Sequence, residues 1–108
     1  MAREEQEPLF TKVHDAWVYT DSGEGLFPAD VTAGVIYILR NPLDMAASCA
    51  NHWGISIEEA VTRLCNPDYA IARSLGGLSD QLRQFMGSWS SHAASWLDNS
   101  DLPVHLVR

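Results

Sequence analysis

The stretch Val35-Ile36-Tyr37-Ile38-Leu39-Arg40-Asn41-Pro42-Leu43-Asp44 decides the fold of this 108-residue chain. Its first five residues form a continuous β-branched, aromatic and aliphatic run, which is typical of a parallel strand buried on both faces. Asn41 is a favourable helix N-cap, and Pro42 suits the first helical position. The stretch therefore predicts a strand at residues 35–39 that leads directly into a helix at residues 42–53.

Capping and periodicity signals predict two more helices after this unit. Ser56-Ile57-Glu58-Glu59 has the capping-box pattern, and Asn66-Pro67 stops the helix that it begins. A longer helix is predicted at residues 78–97. Its apolar stripe consists of Leu78, Leu82, Phe85, Met86, Trp89, Ala93 and Trp96.

Two further strands are predicted, at residues 9–14 and 104–107, whereas the charged residues 1–8 are expected to be loosely held. The order strand, strand, helix, helix, helix, strand favours an α/β fold with a parallel sheet of about three short strands. Residues 9–108 would then form a single domain. Because a complete α/β domain seldom ends on a bare strand, we expect an internal piece of a longer fold.

Composition limits the functions that the chain can have. Hydrophobic residues make up 46% and four Trp are present, so a core can form. The net charge of −7 argues against a general nucleic-acid binder, but one local anion site is compatible with it. No apolar run reaches the length of a membrane span, and no secretory signal is visible. Cys49 and Cys65 lie in apolar helical patterns, which predicts buried thiols and a cytoplasmic protein.

Arg40 and Ser48 are candidate anion ligands. In open parallel sheets, ligands bind at the carboxyl ends of strands, where helix N-termini present free N–H groups. Arg40 lies at such an end and carries a forked cationic donor suited to phosphate. Ser48 follows Asn41 by seven residues, or two helical turns, and so returns to the same helix face. The alternative is an Arg that only caps the sheet.

Lys12 and His14 form a second candidate pair. Two residues apart on a strand, they would project from one face, at the same sheet edge as Arg40 if the strands are parallel. Histidine can serve as a base near neutral pH, and a lysine beside it can neutralise developing negative charge. The alternative is a solvated Lys with an incidental His.

Several segments together resemble the sulfotransferases that use 3′-phosphoadenosine 5′-phosphosulfate (PAPS). The segment from Gly34 to Ser48 is similar to the family's 3′-phosphate segment, a hydrophobic strand followed by Arg-Asn-Pro-x-Asp and a Ser eight residues after the Arg. Thr11-Lys12-Val13-His14 is similar to the family's Lys-x-His segment. Gly87-Ser88-Trp89-Ser90-Ser91-His92 resembles its Gly-Ser-Trp-x-x-His helix. Order and spacing agree along about a hundred residues.

The resemblance implies a role for each candidate residue. Arg40 and Ser48 would hold the 3′-phosphate of PAPS, the co-substrate. His14 would remove the proton of an acceptor hydroxyl or amine, and Lys12 would face the transferring sulfuryl group. The acceptor, a small molecule or a glycan, is not specified, and no metal is implied. Trp89, His92 and Trp96 are interpreted as packing residues of the third helix.

The sequence also departs from the family. It contains no Lys-Ser-Gly-Thr-Thr-like loop for the 5′-phosphosulfate and no Arg-Lys-Gly segment. We therefore expect weak nucleotide binding and no sulfuryl transfer by these 108 residues alone. The alternative function is a non-catalytic remnant that acts as a protein-interaction or self-assembling module.

The implied fold is a partial P-loop-kinase-like sheet whose central strand is missing. The strands at 35–39 and 104–107 would then border a gap. Direct pairing of these two strands would close it, but we expect instead that a second copy fills it in a homo-oligomer.

Overall fold

The computed structural model describes residues 7–71 and 84–108. Three helices and four short strands lie in these ranges. In chain order they are β1 (Val35–Ile38), α1 (Pro42–Trp53), α2 (Ile57–Leu64), β2 (Ala70–Ile71), β3 (Gln84–Phe85), α3 (Trp89–Leu97) and β4 (Val104–Val107). With 12 residues, α1 is the longest of the described helices, and none of them has the length and hydropathy to cross a membrane.

The mixed α/β character is confirmed by a parallel pair of strands. β1 lies beside β4, in a register that runs from Val35 opposite Val104 to Ile38 opposite Val107. Backbone bonds of 2.8 Å extend this ladder at both ends, from the Val35 N–H to the Pro103 carbonyl and from the Leu39 N–H to the Val107 carbonyl. β2 and β3 form a separate antiparallel pair of two residues each.

Direct pairing of β1 with β4 corrects the expectation of a gap between them. The prediction that the strand at residues 35–39 is buried on both faces is also wrong. Alternate residues of β1 point inward and outward, and the outward Ile36 and Ile38 are 62% and 71% exposed. In the described parts of the chain, this sheet is covered on one face only.

The two helices after β1 have the predicted boundaries because their end signals are local. The Asn41 side chain accepts a 2.9 Å bond from the Leu43 N–H, and Gly54 ends α1 in the left-handed conformation with φ of 66°. Ser56 and Glu59 make both bonds of the capping box at the start of α2.

The third helix is shorter than predicted. Residues 84–85 form β3, and α3 begins only at Trp89, whereas residues 78–83 of the prediction lie outside the described residues. Gly87 adopts a positive φ of 65°, and its N–H and that of Met86 both donate to the Tyr69 carbonyl. These bonds direct the backbone away from a helix, and the Ser88 side chain then caps α3.

Residues 9–14 do not form the predicted strand. They have no strand or helix assignment, and their side chains are largely exposed. β1 pairs only with β4 among the described residues, so the expected neighbour strand does not join the sheet.

A small aromatic core lies under the inner face of the sheet. Trp17 and Trp96 are 5% and 3% exposed, and their ring centroids are 5.2 Å apart at an interplanar angle of 62°. Leu102 completes the buried cluster. Partly buried side chains surround it, namely Leu26, Phe27, Val35 and Tyr37. The two tryptophans therefore connect α3 to the N-terminal part of the chain.

Gly25 packs directly against this core, which leads to the first prediction. A Cβ at this position would lie 2.7 Å from Cη2 of Trp17 and closer still to Cζ2, too near for a core that cannot yield. We expect Gly25→Ala to lower the free energy of unfolding by about 1–3 kcal/mol, measured by urea denaturation. In a Trp17→Phe background, which removes those ring atoms, the same change should cost less. Strictly additive costs would contradict this explanation.

Candidate functional site

A cavity of about 390 Å³ lies between α1, α3, the inner side of β1 and residues 12–14. Each helix contributes side chains at helical spacing, from Met45, Cys49 and Trp53 of α1 and from Trp89, His92 and Trp96 of α3. Leu64, Tyr69 and Met86 extend the apolar wall. The cavity therefore combines a hydrophobic, partly aromatic wall with a few polar groups.

Three of the four predicted site residues line this cavity. Lys12, His14 and Arg40 all contribute to it, although Lys12 and His14 do not lie on a strand. Ser48 is exposed on α1 and is not among the lining residues. The structure thus brings the His, the Lys and the Arg together, and leaves the Ser outside.

The local charge of the cavity differs from that of the whole chain. The chain carries a net charge of −7. Among the described residues that line the cavity, however, two are cationic and none is acidic. Local charge and donor groups decide whether an anion binds, so this cavity suits an anionic ligand that the protein as a whole would repel.

Side chains of α3 hold the backbone that follows Lys12. Three backbone groups within residues 14–17 are bonded to side chains of three residues of the helix. His92 Nε2 bonds the His14 carbonyl at 2.8 Å, Trp96 Nε1 donates to the Asp15 carbonyl at 2.9 Å, and Ser95 Oγ accepts from the Trp17 N–H at 2.9 Å. These bonds, rather than a strand ladder, place His14 at the cavity.

The same helix also contacts β1 and its carboxyl end. Trp89 Nε1 donates to the Arg40 carbonyl at 3.2 Å, and Tyr37 Oη lies 2.7 Å from His92 Nδ1. Because a carbonyl can only accept, His92 must carry a hydrogen on Nε2. In the neutral ring Nδ1 then accepts from the Tyr37 hydroxyl. Burial raises the pKa of Tyr37, which keeps that hydroxyl protonated as a donor.

The two cysteines differ in their surroundings. Cys49 is half-buried in the cavity wall, and Cys65 is exposed, so the expectation of a buried thiol is wrong for Cys65. Burial raises the pKa of the Cys49 thiol, and the nearby Arg40 cation partly offsets this by favouring the thiolate. In residues 7–71 and 84–108, no three His, Cys, Asp or Glu side chains come together as a metal site.

Sequence reasoning did not assign the cavity wall or the roles of Tyr37 and His92. A partial signal existed for both. Strand alternation places Tyr37 on the same face as Val35, and Trp89 and His92 are three residues apart on one helix face. Neither pattern indicates which backbone atoms these side chains would meet, since those partners lie 49 or more residues away in sequence.

No family model, curated protein or solved structure matches this chain. The function must therefore be argued from the cavity and its residues.

The second prediction concerns thiol reactivity. We expect Cys49 to react with iodoacetamide more slowly than Cys65 at pH 8, because burial limits access to Cys49 and raises its pKa. Arg40→Met should slow Cys49 further, since loss of the cation disfavours its thiolate. Peptide mass spectrometry measures both rates, and Cys65 is the internal control. Faster alkylation of Cys49 in the variant would contradict the assigned electrostatic contact.

Proposed function

We propose that this chain is a segment of the PAPS-dependent sulfotransferase family, and that it keeps half of the site for the sulfuryl donor. The observation that carries the proposal is that Lys12, His14 and Arg40 line one cavity, whose described lining residues include no acidic side chain. The proposed parent activity is transfer of a sulfuryl group from PAPS to an acceptor hydroxyl or amine.

In this proposal Arg40 binds the 3′-phosphate of the nucleotide. It follows β1 and precedes the N-terminus of α1, where the helix dipole favours an anion. Its guanidinium can donate two parallel bonds to a phosphate. Ser48 is the proposed second ligand, with the smaller contribution because its side chain lies outside the cavity lining.

His14 and Lys12 are the proposed catalytic pair of the parent enzyme. Bound PAPS would supply the sulfuryl group: the acceptor oxygen or nitrogen forms a bond to sulfur, the bond between sulfur and the 5′-phosphate oxygen breaks, and 3′-phosphoadenosine 5′-phosphate leaves. The His14 imidazole would accept the proton of the acceptor hydroxyl or amine, and the Lys12 ammonium would neutralise charge that develops on the transferring group. The apolar wall formed by Met45, Trp53 and Tyr69 would accommodate an acceptor with a hydrophobic body.

The finer fold assignment belongs to the same proposal. The parallel β1–β4 pair would correspond to the two strands that flank the central strand of a P-loop-kinase-like sheet. The sequence has no loop resembling Lys-Ser-Gly-Thr-Thr to hold the 5′-phosphosulfate. We therefore propose that the 108 residues bind nucleotide weakly and do not transfer sulfuryl groups by themselves.

The third prediction tests the half-site with 3′-phosphoadenosine 5′-phosphate as the probe. A charge-assisted contact to phosphate is worth about 1.5–3 kcal/mol, so Arg40→Ala should weaken binding by roughly tenfold to a hundredfold. Ser48→Ala should cost less. Isothermal titration calorimetry measures both.

Arg63→Met is the control for charge. Arg63 does not line the cavity, and Met keeps an aliphatic side chain over the Trp53 ring, on which the guanidinium lies at 5.2 Å from the centroid. Equal losses for Arg40→Ala and Arg63→Met would indicate non-specific electrostatic attraction. Binding that does not depend on Arg40 would contradict the half-site.

A self-assembling module is the second candidate function, and the uncovered sheet face favours it. Ile36, Ile38 and Val107 are 62%, 71% and 38% exposed on this face, with His105 between them. Copies that each carry a charge of −7 repel one another, so the least costly approach is through a face without acidic residues. A second copy presents the same apolar residues, which would bury these side chains in a two-fold interface.

The fourth prediction concerns this interface. At micromolar concentration we expect light scattering to give the mass of a dimer. Ile38→Thr keeps a β-branched residue but removes apolar surface, and should shift the mass toward the monomer. Val31→Thr, at a position 77% exposed outside the sheet, is the control and should leave the dimer intact. A monomeric wild-type chain would exclude self-assembly through this face.

A further inference from the structure

The segment that carries Lys12 and His14 is anchored by hydrogen bonds only at its carboxyl end. Within the described parts of the chain, no hydrogen bond joins residues 7–13 to the rest of the protein. Along the chain, the first anchored atom is the His14 carbonyl, bonded at 2.8 Å to His92 Nε2. The orientation of the residue proposed as the base therefore depends on the side chain of His92.

The same helix face also holds the residue proposed to bind phosphate. Trp89 donates to the Arg40 carbonyl, one turn of α3 before His92. Residues three apart on a helix have Cβ atoms about 5–6 Å apart on one face. Two donors fixed in this way set the separation between the backbone at Arg40 and the backbone at His14.

His92 is itself oriented from the strand side. Tyr37 Oη lies 2.7 Å from His92 Nδ1, and the two rings have centroids 5.7 Å apart. Tyr37 belongs to β1, the strand that precedes Arg40. A continuous chain of bonds therefore runs from the Tyr37 hydroxyl through the His92 ring to the His14 carbonyl.

We propose that His92 is a positioning residue, which fixes His14 relative to Arg40 through its bonds to the His14 carbonyl and the Tyr37 hydroxyl. This inference rests on the function proposed above for His14 and Arg40. In this role His92 acts through the backbone of His14 and takes no proton from the acceptor. Tyr37 supports it by holding the ring in one tautomer.

The matched variants are His92→Leu and His92→Gln. Leucine fills similar space but donates no hydrogen bond, whereas the glutamine amide nitrogen can still donate to the His14 carbonyl. Tyr37→Phe removes only the hydroxyl that orients the ring. If His92 acted only by packing, leucine would replace it without effect. If His92 acts through its hydrogen bond, leucine should disturb the backbone at His14 and glutamine should restore its order.

The experiment uses the full 108-residue chain labelled with ¹⁵N, first without ligand. The Asp15 N–H shares a peptide plane with the His14 carbonyl, so it reports the bond from His92. We expect the order parameter of the Asp15 amide to be near that of rigid backbone, about 0.85, and to fall below about 0.6 in His92→Leu. His92→Gln should restore it, and Tyr37→Phe should give an intermediate value. The Ala93 amide, inside α3, reports whether each variant remains folded.

The second arm adds 3′-phosphoadenosine 5′-phosphate to the same samples. The His14 imidazole signals should respond to the nucleotide in wild type and in His92→Gln, and lose this response in His92→Leu. Because Arg40 is unchanged, His92→Leu should weaken nucleotide binding less than Arg40→Ala does.

The two arms distinguish the failures. A rigid Asp15 amide in His92→Leu, or no restoration by His92→Gln, overturns the positioning role whether or not nucleotide binds. If the order parameters change as expected but the wild-type chain does not bind the nucleotide, the proposed function is wrong. His92 would then fix the backbone at His14 without a role in catalysis.

Discussion

Helix α3 provides the hydrogen bonds on which the rest of this structure depends. Its side chains bond the backbone at residues 14–17 on one side and the carboxyl end of β1 on the other. Each bond is worth only about 0.5–1.5 kcal/mol. The bonds of the Trp17 N–H and the Asp15 carbonyl are buried or partly buried, so they also satisfy polar groups that would otherwise be left without a partner near the core. Without α3, residues 7–17 would lose three of the hydrogen bonds that fix them and would keep the one from the Ala16 N–H to the Phe85 carbonyl.

The small core makes these polar contacts more important than they would be in a larger domain. The buried hydrophobic residues of the described chain are mostly alanines, with Trp17, Trp96 and Leu102 as the large exceptions. A buried Trp contributes a large apolar area, and the edge-to-face contact of Trp17 with Trp96 adds specificity to their packing. The Trp17 indole N–H has no partner within the described residues, so the aromatic packing there comes at the cost of one unsatisfied donor.

The candidate site combines residues that are far apart in the chain, so the sequence does not show that they line one cavity. Lys12, His14 and Arg40 belong to different segments, one without regular structure and one at a strand end. They meet because one helix face bonds both segments. Among the described residues that line the cavity, the charged side chains are cationic, in a chain whose overall charge is strongly negative.

Local signals in the sequence determined β1, α1, α2 and β4. The apolar run of β1, the Asn41 and Ser56 caps and the left-handed Gly54 act within a few residues, so their effects do not depend on distant partners. Arg40, Lys12 and His14 were predicted as site residues from their residue types and positions, and all three line the cavity. The strand beside β1 was not determined in this way. From the sequence we expect a gap between β1 and β4 that a second copy fills, whereas the two strands pair directly.

Only the tertiary structure decided where residues 9–14 lie, where α3 begins and which groups complete the cavity. The pattern at 9–14 does not produce a strand, although the second edge of β1 has no strand neighbour among the described residues. Instead, the backbone from His14 onward bonds the side chains of α3. Likewise, the apolar stripe that predicts a helix through residues 84–88 yields to the bonds that Met86 and Gly87 donate to the distant Tyr69 carbonyl. Periodicity indicates which side chains can lie on one face of an element. The backbone conformation itself also depends on hydrogen bonds to segments far apart in sequence, because these satisfy the backbone N–H and C=O groups.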